Sequence, residues 1–379
     1  MKTHIEISSD NLVHNLNLFK RLSNRKLMFV VKANAYGHGL KEILGITKDL
    51  PIIDYYAVDS VSEALQVKQV DNKKRILVLG WSDKEEMETL LINGFETIAP
   101  SPDFLKEADR LAGKLKVKAN VHLKIETGTG RMGMAPAQAA GMFNVSPFPY
   151  SNVRVVGIYS HFANIEDTTD HSYAQQQLEI FNNLLAKINV PGLLRHFSCS
   201  ASSLLFPETY FDIVRVGISG YGYWPSKQTY ISYIEQDKNG KYLHKIELKP
   251  VLSWYAKVVQ VKTLEVGDPI GYGLSYRTFN KTKIIVVPVG YYDGYDRKLS
   301  NISTIIVNGV KAPVRGRICM DMFMAEVTHV KNIRAGDRIT LIGREGNEVV
   351  DADDLAELAG TINYEILARI NPLIPRIVA

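Results

Sequence analysis

The sequence from residue 29 to residue 39 reads Phe29-Val30-Val31-Lys32-Ala33-Asn34-Ala35-Tyr36-Gly37-His38-Gly39. Its apolar start predicts a buried strand, because no polar residue interrupts the run. A lysine at the end of such a strand has two interpretations. Either Lys32 extends its ammonium group into water, or it is desolvated, which lowers its pKa and leaves an amine able to attack a carbonyl group.

The segment from residue 31 to residue 39 resembles the pyridoxal-phosphate signature of the alanine racemase family. In that family the lysine carries the cofactor, and the tyrosine four residues later contacts the cofactor phosphate. The resemblance therefore implies these roles for Lys32 and Tyr36. The match is long, and it is more specific than an isolated glycine motif.

Composition is that of a globular protein without extreme charge. The chain has 379 residues, enough for two domains, of which 46% are hydrophobic and 22% charged. The net charge is +5. The charged residues are interspersed along the chain, with no basic run of the kind that binds nucleic acid. Cys199 and Cys319 form no Cys-x-x-Cys pair, so no disulfide scaffold and no metal site are predicted. Neither a signal peptide nor a membrane-spanning run is recognised, and a cytoplasmic enzyme is expected.

Apolar runs alternate with amphipathic stretches through the first part of the chain. The runs cover residues 27–33, 55–59, 75–80, 96–99, 117–126, 153–161, 194–200 and 211–217, and a helix is predicted over residues 175–188. Continuous apolar strands between helices are typical of a parallel sheet covered on both faces. Eight of them predict a closed (β/α)8 TIM-like barrel, although an open doubly wound sheet has the same local pattern.

After about residue 230 the pattern becomes rich in short β runs, at residues 251–261, 283–289, 303–307 and 338–342, separated by turn signals. A barrel followed by a mainly β domain resembles the alanine racemase architecture over essentially the whole chain. We predict a barrel that binds pyridoxal phosphate at residues 8–235 and a mainly β domain at residues 236–379. The family resemblance implies that residues 1–7 join the second domain.

The polar residues that stand out lie near the ends of predicted strands, where barrel enzymes carry their functional groups. They are Lys32, Arg131, His161, Ser200 and Arg215. A single arginine is usually surface charge, and a single histidine is usually a satisfied core residue. Five such residues on one predicted rim make a shared site the better interpretation.

The loops after the seventh and eighth strands commonly hold phosphate in barrels. Here they contain serine hydroxyls and glycine N–H groups that suit an anion, although an ordinary serine- and glycine-rich turn is the alternative. The family resemblance implies that the phosphate is held by Ser200, Gly217, Ile218, Tyr36 and Tyr364. Cys199 departs from the asparagine that the family usually has before this serine.

The resemblance also implies that Arg215 faces the pyridine nitrogen of the cofactor, accompanied by His161 and His196. An arginine does not give up its proton, so the ring nitrogen stays unprotonated. This arrangement should limit electron delocalisation and suppress side reactions such as transamination.

Racemisation removes a proton from one face of Cα and returns one on the other face, which calls for two bases. Lys32 is the first candidate. Tyr272, in Gly271-Tyr272-Gly273, matches the second catalytic base of the family, whereas propensity alone would favour a strand tyrosine. A phenol titrates near pH 10, so it needs cationic neighbours, and His161 and Arg215 are the candidates.

In the family this tyrosine comes from the neighbouring subunit, which implies a homodimer with shared active sites. Residues 316–321 match a segment whose methionine N–H holds the substrate carboxylate, here Met320 followed by Asp321. Residues 290–295 match a segment of the family that lines the entrance to the active site, and this segment contains Tyr291. Tyr292 stands where the family usually has a small residue, so the entrance is expected to differ.

Lys124 matches a lysine that is carbamylated in some members of the family. The carbamate would orient Arg131, which is expected to contact the cofactor phenolate and the substrate carboxylate. The sequence itself leaves open whether Lys124 is modified.

The sequence thus predicts a pyridoxal-phosphate-dependent racemase that interconverts L- and D-alanine and supplies D-alanine for peptidoglycan. Serine or other amino acids remain alternative substrates, since small side chains are weakly discriminated. A barrel-type decarboxylase is another alternative, but such enzymes place a cysteine opposite the lysine, where this chain has Tyr272. The third alternative is a non-catalytic carrier of pyridoxal phosphate, a class that usually lacks the β domain.

Overall fold

The computed structural model describes residues 1–143, 148–188, 190–240 and 245–379. Within these residues the strands are β1 (Thr3–Ile7), β2 (Lys26–Val30), β3 (Tyr55–Val58), β4 (Arg75–Val78), β5 (Glu96–Ala99), β6 (Ala119–Lys124), β7 (Val153–Tyr159), β8 (Leu194–His196), β9 (Ile213–Val216), β10 (Leu252–Lys257), β11 (Gln260–Leu264), β12 (Thr282–Val287), β13 (Thr304–Val307), β14 (Val310–Arg315), β15 (Phe323–Glu326), β16 (Arg338–Glu345), β17 (Glu348–Val350) and β18 (Arg376–Val378). The helices are α1 (Ser9–Ser23), α2 (Lys32–Tyr36), α3 (Leu40–Thr47), α4 (Val61–Val70), α5 (Lys84–Asn93), α6 (Pro102–Leu115), α7 (Pro136–Phe143), α8 (Ser172–Leu185), α9 (Ser200–Leu205), α10 (Lys227–Lys238), α11 (Ala352–Ala359) and α12 (Asn363–Ala368).

The chain forms two compact units. The barrel unit comprises Leu12–Ala33 and Leu44–Lys249, and the β unit comprises Met1–Asn11, Asn34–Ile43 and Pro250–Ala379. The domain limits predicted from sequence, residues 8–235 and 236–379, stay a prediction.

The barrel unit is built on a parallel sheet in the order β8-β7-β6-β5-β4-β3-β2-β9. The two end strands meet at Arg195 and Asp212. The Asp212 N–H donates to the Arg195 carbonyl at 3.0 Å, and the Arg195 guanidinium donates to the Asp212 carboxylate at 2.8 and 3.0 Å. The predicted fold class, a (β/α)8 barrel followed by a mainly β domain, is confirmed. Each of the eight predicted apolar runs overlaps one strand of this sheet.

Helix α6 illustrates how the sequence forms the outer layer of the barrel. Ser101 caps its start by accepting a hydrogen bond from the Phe104 N–H, and Pro102 fits the first turn. One face buries Phe104, Leu105, Ala108, Leu111 and Ala112. Lys116, in the left-handed conformation with φ 57°, ends the helix.

The β unit contains a sheet in the order β11-β12-β15-β14-β13-β16-β10-β1-β18, with β17 paired to β16. Strand β1 pairs antiparallel with β10 and parallel with β18, so the two ends of the chain are neighbours in one sheet. Trp254 is buried in this unit and donates its indole N–H to Thr3 at 2.9 Å. Tyr295 stacks on Phe323 beside it, with ring centroids 4.8 Å apart. Across the described ranges, no helix is both long enough and apolar enough to cross a membrane.

Candidate functional site

The residues that follow β2 form a helical turn of the opposite hand to an ordinary α-helix. Helix α2 begins at Lys32, and Ala33, Asn34, Ala35 and Tyr36 have φ values of 54°, 54°, 53° and 53°. For L-residues this conformation costs roughly 1–2 kcal/mol per residue, because Cβ approaches the following carbonyl oxygen. A run of four such residues directly after Lys32 is the kind of stored strain that occurs at functional sites.

Contacts on both sides hold this left-handed turn in place. In the barrel unit, Glu63 accepts hydrogen bonds from the Ala33 N–H at 2.6 Å and from the Asp59 N–H at 2.8 Å. In the β unit, the Gly37 carbonyl accepts from the Arg376 guanidinium at 2.8 Å. A Cβ on Gly37 would lie 1.9 Å from the Leu367 carbonyl oxygen, so only glycine fits there.

Replacing Ala33 with glycine tests the strain. Ala33 is exposed, so Ala33→Gly removes the positive-φ penalty with little loss of packing. The gain exceeds the added entropy of the unfolded chain, and we expect the free energy of unfolding to rise by up to about 1 kcal/mol. Denaturant titration measures it. The control is Ala137→Gly, at an exposed position of the right-handed helix α7, which should lower stability by about 1 kcal/mol. Equal losses in both variants would contradict the strain.

Lys32 lies two residues beyond the end of β2, at the carboxyl end of the strand as predicted. Its side chain is 41% exposed, and its Nζ lies 3.7 Å from the Asp59 carboxylate at the end of β3. The lysine is therefore half-exposed and ion-paired. Of the two interpretations of Lys32, the structure agrees with the one in which its ammonium group extends toward water.

The Ser200 hydroxyl contacts the backbone that follows β9. The Ser200 hydroxyl accepts from the Gly217 N–H at 3.0 Å and from the Ser219 N–H at 3.4 Å, so these groups converge on one point, next to Ile218. One expectation was wrong: Ser200 does not end the seventh barrel strand. Strand β8 stops at His196, and Ser200 begins α9. Ser202 accepts the Cys199 N–H at 2.9 Å and thereby initiates the helix.

Two predicted phosphate contacts come together in the β unit. The rings of Tyr36 and Tyr364 lie 6.0 Å apart, centroid to centroid, at an angle of 48°. Tyr364 is on α12, and Tyr36 ends the left-handed turn.

Arg215 is buried on β9 and is surrounded by neutral partners. Its guanidinium lies 3.0 Å from His196 Nδ1 and 3.3 Å from His161 Nδ1, and it donates to the Ser160 and Phe197 carbonyls at 3.0 and 3.1 Å. Burial lowers the pKa of Arg215 to about 10, so the group is still protonated at neutral pH. Burial, followed by repulsion from Arg215, Arg131, Lys124 and Lys32, holds the pKa of His161 well below its usual range.

Lys124 ends β6 and is buried. Burial, together with the charges of Arg131 and Arg215, lowers its pKa to about 8. Arg131 lies in a loop organised by Glu126, whose carboxylate accepts the N–H groups of Gly128 and Thr129 at 2.6 Å and that of Arg131 at 3.2 Å. Burial disfavours ionisation of Glu126, but these backbone N–H groups outweigh it and lower its pKa. Lys124 and Arg131 thus belong to a cationic cluster at the carboxyl ends of the barrel strands.

The remaining predicted residues lie on adjoining loops of the β unit. Tyr272 begins a 3₁₀ turn and is 71% exposed, so the strand interpretation of this residue is wrong. Gly271, with φ 73°, allows that turn to approach Arg317, as a Cβ there would lie 3.3 Å from the Arg317 N. The Tyr291 N–H donates to the Cys319 carbonyl at 3.1 Å, which brings the segment of Tyr291 next to that of Met320 and Asp321.

Sequence reasoning assigned no role to two buried residues that contact this site. Tyr159 stacks on His196 at 4.8 Å, and the Arg215 guanidinium lies 5.3 Å from the centre of the Tyr159 ring. His122 lies 2.9 Å from His196. The sequence could have indicated both residues, because side chains two positions apart in a strand lie on the same face. Tyr159 lies two positions before His161, and His122 lies two positions before Lys124.

Comparisons with known proteins cover both units. The family model "Alanine racemase, N-terminal domain" matches residues 7–225, and "Alanine racemase, C-terminal domain" matches residues 251–378. An alanine racemase of Leptospira interrogans is 38% identical over 382 residues, covering 99% of this chain and 95% of that protein.

Solved structures agree with these matches. The alanine racemase of Clostridium difficile 630 has a TM-score of 0.90 and 32% identity, covering 100% of this chain and 96% of that one. The alanine racemase of Bartonella henselae, solved with covalently bound pyridoxal phosphate, has a TM-score of 0.87 and 26% identity, with both chains fully covered.

A parallel barrel with a lysine at a strand end, joined to a mainly β unit, is the architecture of a class of pyridoxal-phosphate-dependent enzymes. Within that class the matches extend over both units at full length. The chain belongs to the alanine racemase family, and it is an isomerase that depends on pyridoxal phosphate.

Proposed function

We propose that this protein interconverts L- and D-alanine with two bases on opposite faces of the substrate, and that it supplies D-alanine for peptidoglycan. The observation that carries the proposal is the rim of the barrel unit. There Lys32, the Ser200–Gly217 donor pair and a buried Arg215 with neutral partners lie at the carboxyl ends of the strands. Family membership and the names of relatives support alanine as the substrate.

The residues present fit pyridoxal phosphate. The convergent Ser200, Gly217 and Ile218 groups suit a dianionic phosphate, and Tyr36 and Tyr364 offer two further hydroxyls. The cationic cluster of Lys32, Lys124, Arg131 and Arg215 favours an anionic ligand. When bound, this cofactor supplies an electron sink for the electrons left at Cα after proton removal.

In this proposal Lys32 and Tyr272 exchange protons with Cα from opposite sides. Lys32 Nζ takes the proton of D-alanine, and the Tyr272 hydroxyl returns one on the other face to give L-alanine. The reverse reaction exchanges these roles. Arg131 and the Met320 N–H hold the substrate carboxylate, so that the Cα–H bond faces one base at a time.

Arg215 in this proposal keeps the pyridine nitrogen unprotonated. Among the described residues its hydrogen-bond partners are two imidazole nitrogens and two carbonyl oxygens, so its N–H groups are fixed in direction and none of these partners is a carboxylate. A permanent donor at this nitrogen cannot pass its proton to the ring. Reprotonation is therefore directed to Cα, the outcome that racemisation requires.

The exposed phenol of Tyr272 supports a homodimer in which each subunit completes the site of the other. Its own turn and two further loops of the β unit expose large apolar residues: Tyr272, Leu274, Tyr291, Tyr292, Met320 and Met322, between 42% and 71% exposed. An apolar surface of this kind is typical of an interface. Covering it with a second subunit would desolvate Tyr272 and bring it within reach of that subunit's cations.

Lys124 is proposed to form a carbamate. A neutral Nζ attacks carbon dioxide, a C–N bond forms, and the lost proton goes to water. Because the pKa is about 8 rather than 10.5, about half of the amine is neutral at pH 8. With labelled bicarbonate we expect a carbamate carbon signal that grows between about pH 6 and pH 8. Carbon NMR measures it, and Lys124→Gln should abolish it. A signal that survives this substitution would assign the carbamate elsewhere.

The direct test of the proposed function is to incubate the purified protein with L-alanine and follow optical rotation. Decay to zero rotation without gas release is the result expected for a racemase. Release of carbon dioxide would identify a decarboxylase, and an unchanged solution would identify a carrier. A panel that includes L-serine then measures how far the pocket discriminates a hydroxyl group.

A further inference from the structure

A buried chain of hydrogen bonds runs from Arg215 through the barrel interior. His196 accepts from Arg215 through Nδ1, and its Nε2 lies 2.9 Å from His122 Nδ1. His122 Nε2 lies 2.7 Å from the Glu96 carboxylate. The other carboxylate oxygen of Glu96 accepts from Arg75. Both imidazoles are fully buried, and Glu96 is 4% exposed.

The backbone is adapted to hold His122 in this chain. The pairing of β6 with β7 shifts register between Val121 and His122, which places His122 opposite Gly157. A Cβ on Gly157 would lie 2.1 Å from His122 Nδ1, so glycine is required for the imidazole to reach His196. The bulge and the glycine together make room for the His122 side chain, so the backbone here is adapted to this one residue.

The groups at the two ends of this hydrogen-bond chain, Arg215 and Glu96, fix the direction in which every hydrogen bond donates. Arginine can only donate, and an ionised carboxylate can only accept. Burial lowers the pKa of both His122 and His196, so each ring is neutral and carries one proton. The only pattern that satisfies every contact has the proton on Nε2 of both rings. His196 Nδ1 then always presents a lone pair to Arg215.

We propose that His122 and Glu96 are positioning residues that fix the tautomer of His196 and, through it, the orientation of the Arg215 guanidinium. His122 contacts His196, and Glu96 contacts His122, so both act on Arg215 through His196. Their effect is to align one N–H of Arg215 with His196, which leaves its other N–H groups in a set direction. The inference rests on the proposed function only for its kinetic test.

The first test is nitrogen NMR of histidine-labelled holoenzyme. We expect His122 and His196 to give signals of neutral rings protonated at Nε2, assigned by comparison with His122→Gln. A ring protonated at Nδ1, or at both nitrogens near neutral pH, would overturn the proposal. This readout holds even if the wild-type protein does not racemise alanine, so failure of the proposed function and failure of this inference are distinguishable.

The second test compares three variants. His122→Phe keeps a planar ring but breaks the chain, and we expect kcat to fall about 10- to 100-fold with little change in KM, because misplacement of a distant group acts on the reacting geometry. His122→Gln can accept from His196 and donate to Glu96, so it should restore most of kcat and the His196 signal. Tyr55→Phe is the matched control, since the Tyr55 ring packs edge-on against His122 and its hydroxyl makes no hydrogen bond to the described residues. Wild-type kcat in His122→Phe, or equal losses in the Phe and Gln variants, would overturn the inference.

Discussion

We expect a mixture of the Lys32→Ala and Tyr272→Ala variants to regain racemase activity that neither variant has alone. Each single variant lacks one of the two proposed proton-transfer groups, and loss of such a group costs about 100- to 10,000-fold in rate. If the tyrosine of one subunit serves the lysine of the other, a mixed dimer contains one site with both bases and one with neither. Random exchange should therefore restore about a quarter of the wild-type sites. Racemisation assays on the mixture measure this recovery.

The control for this experiment is a mixture of the Lys32→Ala variant with a double variant that carries both Lys32→Ala and Tyr272→Ala. No site in that mixture has both bases, so it should stay inactive even though subunits exchange equally well. Recovery there would contradict the shared site, as would no recovery in the first mixture after exchange is verified by mass spectrometry. Tyr272→Ala alone should also retain Cα proton exchange from D-alanine while largely losing it from L-alanine. Full racemisation by this variant would remove Tyr272 from the mechanism.

Arg215→Glu should lower racemisation by two to three orders of magnitude, about 100- to 1,000-fold, and raise the proportion of transamination. A carboxylic acid at this position can share a proton with the pyridine nitrogen, which an arginine cannot do. The stronger electron sink then allows reprotonation at a carbon other than Cα. Pyruvate formation per racemisation event measures the change in outcome.

Arg154→Glu is the matched control for that substitution. Arg154 is exposed near the start of β7, at the opposite end of the strand from Tyr159, and it receives the same change of charge. It should keep both the rate and the product ratio within about twofold, as is usual for exposed substitutions. An Arg215→Glu protein that forms no additional pyruvate would contradict the electronic role of Arg215.

The barrel strands were predictable because they are short and continuously apolar. Residues 96–99 coincide with β5, and residues 55–59 differ from β3 only at the end. Strands β14 and β15 of the β unit were not predicted, and β14 contains Pro313 and two cations, which interrupt its apolar pattern. Both strands are stabilised by pairing with other strands, so the sequence of each segment alone does not indicate a strand.

Candidate site residues near the carboxyl end of a strand could be predicted from the sequence, and those further inside a strand could not. Lys32 and Arg215 were identified from position and family resemblance. The left-handed turn after Lys32 contradicts local preference, since alanine favours the right-handed helix, and tertiary contacts impose it. Glu96 and His122 are polar residues inside apolar runs, and only the structure brings them into one chain. The roles predicted for all the site residues, Lys32 and Arg215 included, stay predictions, as do the homodimer and the cytoplasmic location.

The position of β1 between β10 and β18 has a consequence for synthesis. Strand β1 pairs with β10 and with β18, so it has no partner strand until the residues from 252 onward have been made. Most of the barrel unit, up to Lys249, is made before β10 exists and can collapse first. During that interval Ile5 and Ile7 have no sheet to enter, and the nascent N-terminus is an unpaired apolar strand. A substitution in β1 therefore acts on a late step of folding rather than on the first.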